Sequence, residues 1–94
     1  MQDELFEWDD EKALRNLKIR GLSFEEARTV FEDPYSITRR DELNSEFEER
    51  FVTIGLSLIS RVLFVVHTER VERIRIISAR EATPSERAAY EKQH

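Results

Sequence analysis

The fold is decided by residues 47–80, which read FEERFVTIGLSLISRVLFVVHTERVERIRIISAR. Three runs rich in Val, Ile and Phe, at 47–56, 61–68 and 73–80, predict β-strands because such side chains suit a pleated, half-buried surface. The connections between the runs are short, and residues 69–72 have the length of a hairpin loop. Parallel neighbours would need long crossovers, so the stretch predicts an antiparallel meander.

A first strand and a first helix are predicted near the N-terminus. Residues 4–8 alternate loosely and predict a short strand. The following helix takes its N-cap from Asp9 or Asp10 and ends at Gly21, which tolerates a left-handed conformation. Its predicted apolar stripe consists of Ala13, Leu14 and Leu17.

Two capping boxes mark the starts of the other helices. Ser23 and Glu26 have the spacing that begins a second helix, which is expected to end before Pro34. Thr83 and Glu86 have the same spacing and begin a C-terminal helix after the meander. The chain therefore has helices on both sides of its strand-rich segment.

Residues 35–45 are polar and aperiodic, and they predict a loop between the second helix and the meander. The resulting order, β-α-α-β-β-β-α, is an α+β fold in which helices pack on an antiparallel sheet. The chain has 94 residues and contains neither an internal repeat nor a linker-like stretch. We therefore expect a single domain over residues 1–94.

Composition excludes several functional classes. The chain has no cysteine, and its two histidines are His67 and His94, so neither a disulfide nor a metal site is expected. Its two glycines are too few to predict a phosphate-cradling loop, and no cofactor is predicted. The N-terminus lacks the apolar run of a signal peptide, and the longest apolar run, 62–66, is too short for a bilayer. We therefore expect a cytoplasmic protein without membrane contact.

The net charge of −5 hides an uneven distribution. Residues 1–49 carry fifteen acidic against seven basic side chains, whereas residues 50–80 carry six arginines against two glutamates. The meander thus has a charge of +4, and local potential matters more than net charge for binding phosphate. Twelve of the fifteen basic residues are arginine, which binds phosphate in a bidentate way.

The arginines of the meander predict a shallow basic groove. Regular alternation through 73–80 would place Ala79 on one sheet face with Arg75 and would place Arg80 on the other. The candidate groove residues are Arg50, Arg61, Arg75 and Arg80. The alternative is that these guanidinium groups pair with nearby glutamates on a solvated surface.

His67 is the internal histidine and lies at the end of an apolar strand. Metal-free acid–base chemistry needs a side chain that can take up and release a proton at the working pH. An imidazole titrates near neutral pH, so His67 is a candidate for proton transfer or for phosphate contact. The alternative is a structural histidine that is hydrogen-bonded to Thr68 or Glu69.

Three stretches together resemble the BrnT toxin family. The first is FEWD at residues 6–9, followed by Lys12, Asn16 and Gly21 and by apolar positions up to Asp33. The second is ER at 49–50 with IG at 54–55, and the third is VLFVVHTER followed by IRIISAREATPSERAAYE. The likeness keeps its order and spacing over residues 6–91.

The resemblance implies a RelE-like fold and a ribonuclease toxin that arrests growth by cleaving an RNA substrate. It also implies a ribbon-helix-helix antitoxin that neutralises the toxin, with a dimer or a hetero-oligomer as the expected assembly. Operator DNA would be contacted only through that antitoxin.

One departure from the family concerns the end of the first helix. The family usually has Lys-His-Gly there, whereas this chain has Ile19, Arg20 and Gly21, with Lys18 one place earlier. Arginine binds phosphate but is a poor proton donor. With this departure, the predicted catalytic residues are Lys12, Arg50, His67 and Arg80. The predicted RNA-binding residues are Arg20, Arg61, Arg70 and Arg75.

Two other functions remain open from the sequence. A non-catalytic toxin homologue would act as an antitoxin-binding and co-repressor subunit, and expression of the chain alone would then permit normal growth. An interaction domain unrelated to toxins would lack a neighbouring ribbon-helix-helix gene.

Overall fold

The structure is a computed structural model that describes residues 1–93, and His94 lies outside the described residues. Its strands and helices follow the predicted α+β order, with one additional strand. They are β1 (Phe6–Glu7), α1 (Asp10–Arg20), α2 (Phe24–Arg28), β2 (Ile37–Arg40), β3 (Phe51–Leu56), β4 (Val62–Arg70), β5 (Arg73–Glu81) and α3 (Pro84–Glu91). Two short 3₁₀ helices span Thr29–Glu32 and Glu42–Asn44.

The strands form one five-stranded sheet in the order β1-β5-β4-β3-β2. The predicted antiparallel meander is confirmed as β3, β4 and β5, although β3 begins at Phe51 and residues 47–50, predicted as strand, precede it. The sheet as a whole is mixed, because β1 pairs in parallel with β5 through Phe6 opposite Ile74. The segment predicted as a loop contains β2, which pairs with β3 from Ile37 opposite Ile54. This edge strand is polar and exposed, so it lacks the apolar alternation by which strands are recognised.

Each face of the sheet has its own core. On the first face, α1, α2 and the first 3₁₀ helix cover β3 and β5, and on the second face α3 covers β3. The buried side chains of the first core are Phe6, Trp8, Leu22, Phe24, Ala27, Val30, Leu63, Val65, Ile76 and Ala79. Those of the second core are Val52, Ile54, Val62, Ala82 and Tyr90.

A bulge in β5 changes which side chains share a face. Val66 pairs with Ser78 and His67 pairs with Ile76, so Ile77 is an extra residue between two pairs. Ile76 and Ala79 therefore both point into the first core. The regular alternation expected through this strand is wrong beyond Ile76 for this reason.

Helix α1 is held by a polar side chain instead of its leucines. Its N-cap is Asp9, and Gly21 ends it at φ 67°, both as predicted. Its buried residue is Asn16. Of the predicted apolar stripe, Ala13 packs against the first core, whereas the prediction is wrong for Leu14 and Leu17, which are about half exposed. The Asn16 amide donates to the carbonyls of Leu22 and Ala79, and its oxygen accepts from the Ala79 N–H.

The two predicted capping boxes differ in the structure. Thr83 and Glu86 form a complete box, in which each side chain accepts from the other's backbone N–H. At α2, the Ser23 hydroxyl accepts from the Glu26 N–H, but the Glu26 carboxylate bonds elsewhere, to Ser57 and Arg61. That carboxylate instead ties α2 to the β3–β4 turn.

Candidate nucleic-acid interface

An open cleft of about 360 Å³ lies between α1 and the bulged part of β5. It is lined by Lys12, Arg15, Asn16, Ile19, Arg20, Arg50, Ile77 and Ser78. Four of these side chains are cationic and none is acidic. Such a concentration of one charge attracts anions more strongly than the net charge of the chain suggests.

The helical repeat brings most of the cleft cations together. Lys12, Arg15, Ile19 and Arg20 are spaced by three, four and one residues, which places them along one side of α1. Arg50 reaches the cleft from the start of β3. Its backbone is fixed, since its N–H donates to the Ser45 hydroxyl and its carbonyl accepts from the Asp41 N–H.

The four cleft cations differ from the other predicted arginines in their partners. Within residues 1–93, no carboxylate forms an ion pair with Lys12, Arg15, Arg20 or Arg50. Their positive charge is therefore available to a ligand. Of the predicted residues, the structure brings together Lys12, Arg20 and Arg50, and it adds Arg15, which the sequence reasoning missed. The spacing of Arg15 from Lys12 was the signal that would have found it.

Arg61, Arg70 and Arg75 lie outside the cleft lining, and each is paired with a glutamate. Arg61 binds the Glu26 carboxylate through two nitrogens and the Glu81 carboxylate at 3.0 Å. The same contact lowers the pKa of Glu26. Arg70 and Arg75 pair with Glu48 at 3.3 Å and Glu7 at 2.7 Å. For Arg61 and Arg75, the structure shows the alternative expectation of pairing with glutamates, and Arg70 is paired in the same way.

The guanidinium of Arg80 also has a carboxylate partner. Its guanidinium makes a bidentate contact with Glu86, at 2.8 and 3.0 Å, and lies 3.8 Å from the centre of the Phe64 ring. The arginine lowers the pKa of the Glu86 carboxyl. Its position joins β5 to the start of α3, so the four arginines expected to form one groove do not come together.

His67 lies in the core. It is 4% exposed, sits between the rings of Phe31 and Phe51, and shares a hydrogen bond of 2.8 Å with the Thr53 hydroxyl through Nε2. Burial lowers the pKa of His67 to about 4. The imidazole is therefore neutral at pH 7 and lies outside the cleft lining, and its partner is Thr53, not Thr68 or Glu69.

This burial makes folding stability depend on pH. As the pH falls from 7 to 5, the unfolded chain takes up a proton on His67 near pH 6.5, whereas the folded chain does not until about pH 4. We expect a loss of about 2 kcal/mol of unfolding free energy over this range. Chemical denaturation at both pH values should show this loss for the native chain and a smaller one for His67→Gln.

A second measurement does not depend on the variant folding. The ring protons of His67 should titrate well below pH 5.5 in NMR spectra of the native chain. A normal histidine titration near pH 6.5 would contradict the buried, neutral state.

The end of α1 matters for comparison with the family pattern. Ile19 and Arg20 line the cleft. The resemblance drawn from the sequence leads one to expect lysine and histidine at these two positions. Lys18 lies on another side of the helix, beside Leu14, and does not line the cleft. The lysine one place earlier therefore does not replace the family lysine.

The described residues contain neither a metal-binding cluster nor a membrane-spanning helix. Among residues 1–93, no three His, Asp or Glu side chains lie close enough together to hold a metal ion. No helix in the same range is long and apolar enough to cross a membrane.

Comparisons with known proteins agree with this fold. The family model described as ribonuclease toxin, BrnT, of type II toxin-antitoxin systems matches residues 8–86. A crystal structure of the ribonuclease toxin BrnT from Brucella abortus is similar, with a TM-score of 0.66 and 18% identity over 84% of this chain and 97% of that chain. No curated protein sequence matches.

The structural likeness supports the α+β, RelE-like architecture that the sequence predicted. The family match covers most of the chain, and it excludes the alternative of an interaction domain unrelated to toxins. It also implies an antitoxin partner. The chain belongs to the BrnT family of ribonuclease toxins from type II toxin–antitoxin systems.

Proposed function

We propose that this chain is a metal-independent endoribonuclease toxin that holds the scissile phosphate of RNA in the cleft and is neutralised by a ribbon-helix-helix antitoxin. The proposal rests on one observation: four cations line one cleft, and none of them has an ion pair within the described residues 1–93. Cations that are not already neutralised stabilise the extra negative charge of a phosphorane. The cleft lining contains no carboxylate that would hold a divalent cation.

The roles of the cleft residues follow from their chemistry. Arg15, Arg20 and Arg50 remain charged and can contact two phosphate oxygens each. Lys12 differs from the three arginines because it carries a compact ammonium group with three hydrogen-bond donors. It would serve the 2′-hydroxyl or the leaving oxygen.

A second candidate function is a non-catalytic toxin homologue that binds the antitoxin and acts as a co-repressor subunit. The observation that favours it is the cleft itself, since none of its lining residues within 1–93 carries an imidazole and His67 is buried. In this case the cleft would bind RNA without cleaving it. Contact with operator DNA would occur through the antitoxin in either case.

Two experiments separate these functions. Expression of the chain alone should arrest growth, and co-expression of a cognate antitoxin should restore it. The purified chain should cleave RNA in the presence of a chelator. Normal growth with soluble, folded protein, together with RNA binding that gives no cleavage, would support the non-catalytic function instead.

Restoring the family histidine should raise the cleavage rate. Arg20→His places an imidazole in the cleft, where it can transfer protons at neutral pH, while Lys12, Arg15 and Arg50 remain to hold the phosphate. General acid–base catalysis contributes about 100-fold or more when geometry is good, and loss of the Arg20 charge offsets part of that gain. We expect an increase of at least about tenfold, measured as initial rates on a fluorogenic RNA. Lys18→His is the matched control, because residue 18 lies outside the cleft. An equal change in both variants would count against the proposed site.

A further inference from the structure

A second hollow, of about 320 Å³, adjoins the cleft and has a different chemical character. It is lined by Leu43, Asn44, Glu46, Phe47, Glu48 and Arg50. Arg50 lines both spaces, so they are neighbours on the surface. A single strand whose phosphate lies in the cleft can therefore extend its next nucleotide into this hollow.

The apolar side chains of the hollow are almost completely exposed. Phe47 is 95% exposed and Leu43 is 93% exposed, although large apolar side chains usually find cover. Proteins that bind single strands combine a cationic track with open aromatic rings, on which bases stack. Phe47 next to Arg50 has this arrangement.

The polar side chains of the hollow suit a base better than a phosphate. Within residues 1–93, the Glu46 carboxylate has neither a hydrogen bond nor an ion pair, whereas Glu48 pairs with Arg70. A free carboxylate repels phosphate but accepts hydrogen bonds from base N–H groups. Guanine presents two adjacent donors, N1–H and the 2-amino group, which match the two oxygens of a carboxylate. Uracil presents one such donor.

We propose that this hollow is a nucleobase subsite that prefers guanine, with Phe47 stacked on the base and Glu46 accepting from its N1–H and 2-amino group. The proposal rests on the proposed function, because the neighbouring phosphate is held in the cleft. It assigns sequence preference to the segment between β2 and β3, outside the cationic cleft.

The test uses oligonucleotides that cannot be cleaved. Fluorescence anisotropy would compare 2′-O-methyl oligouridine with the same strand containing one guanosine or one inosine, which lacks the 2-amino group. The full chain should bind the guanosine strand at least about fivefold more tightly than oligouridine, with inosine between them. Phe47→Ala should weaken binding of all strands by about tenfold, since stacking on a protein aromatic contributes about 1–3 kcal/mol per base.

Glu46→Gln should reduce the preference for guanosine and weaken binding of oligouridine less, because uracil presents one donor to the carboxylate where guanine presents two. Glu25→Gln is the matched control, since Glu25 is an exposed glutamate on α2 outside both spaces. If Phe47→Ala and Glu46→Gln bind every strand as the native chain does, the subsite is wrong. It is also wrong if Phe47→Ala loses antitoxin binding and keeps RNA binding, because the hollow would then serve the protein partner.

Failure of the proposed function is distinguishable from failure of the subsite. The double variant Lys12→Ala, Arg15→Ala removes cleft charge without touching the second hollow. If it binds all strands normally, the cleft proposal fails, whatever Phe47→Ala and Glu46→Gln show for the hollow. If it weakens binding of all strands while the preference for guanosine remains, both proposals are supported.

Discussion

Arg50→Ala should lower RNA cleavage about 100-fold while the protein remains folded. Removal of one group that stabilises transition-state charge costs about 10²–10³-fold in rate. Arg50 faces the cleft opposite the α1 cations, and no carboxylate in the described part of the chain neutralises it. Because it makes no ion pair in residues 1–93, its removal should change the melting temperature little. Initial cleavage rates and a thermal melt measure the two effects.

Two further variants are needed to interpret the loss of cleavage expected for Arg50→Ala. Arg39→Ala is the matched control, because Arg39 is exposed on β2, outside both spaces, and has no ion pair among residues 1–93. It should cleave at the native rate. Arg80→Ala tests a residue that the sequence assigned to catalysis, and its bidentate contact with Glu86 suggests mainly a loss of stability. A rate for Arg50→Ala within about threefold of native would remove this residue from the proposed site.

The sequence predicted most of the elements because local signals determine them. The β-branched runs of the meander, the N-cap Asp9 and the complete capping box at Thr83 act over a few residues. Two features depend on distant partners. Strand β2 is recognised only from its pairing with β3. The parallel pairing of β1 is likewise recognised only from its contact with β5, which lies far away in the sequence.

The site was harder to predict than the fold, because ion pairing decides which arginines are available to bind a phosphate. Arg61 and Arg80 belong to the same basic segment of the sequence as Arg50, yet each of them has a carboxylate partner. Those partners lie up to 35 positions away in sequence, so no local pattern reveals them. His67 illustrates the same limit. Its place in the sequence suits a strand end, and only the packing of Phe31 and Phe51 shows that it is buried.

Asn16→Asp should be the most destabilising substitution that keeps the shape of its side chain. The Asn16 amide donates at 2.9 Å to the carbonyls of both Leu22 and Ala79, and its oxygen accepts at 3.2 Å from the Ala79 N–H. An aspartate would place a carboxylate oxygen against two buried carbonyls. Unsatisfied buried polar groups cost about 1–3 kcal/mol each, and charged ones cost more. We expect a loss of about 3–5 kcal/mol of unfolding free energy, measured by urea denaturation.

The loss should also remove function, because Asn16 is the buried contact of α1 and the other cleft residues of that helix depend on its position. Asn44→Asp makes the same chemical change at an exposed position, where the amide donates to Asp41, and it should cost under about 1 kcal/mol. Equal stability of the two variants would mean that the hydrogen bonds of Asn16 do not hold α1. If the expected difference is found, one buried amide both anchors the helix and positions the cations of the cleft.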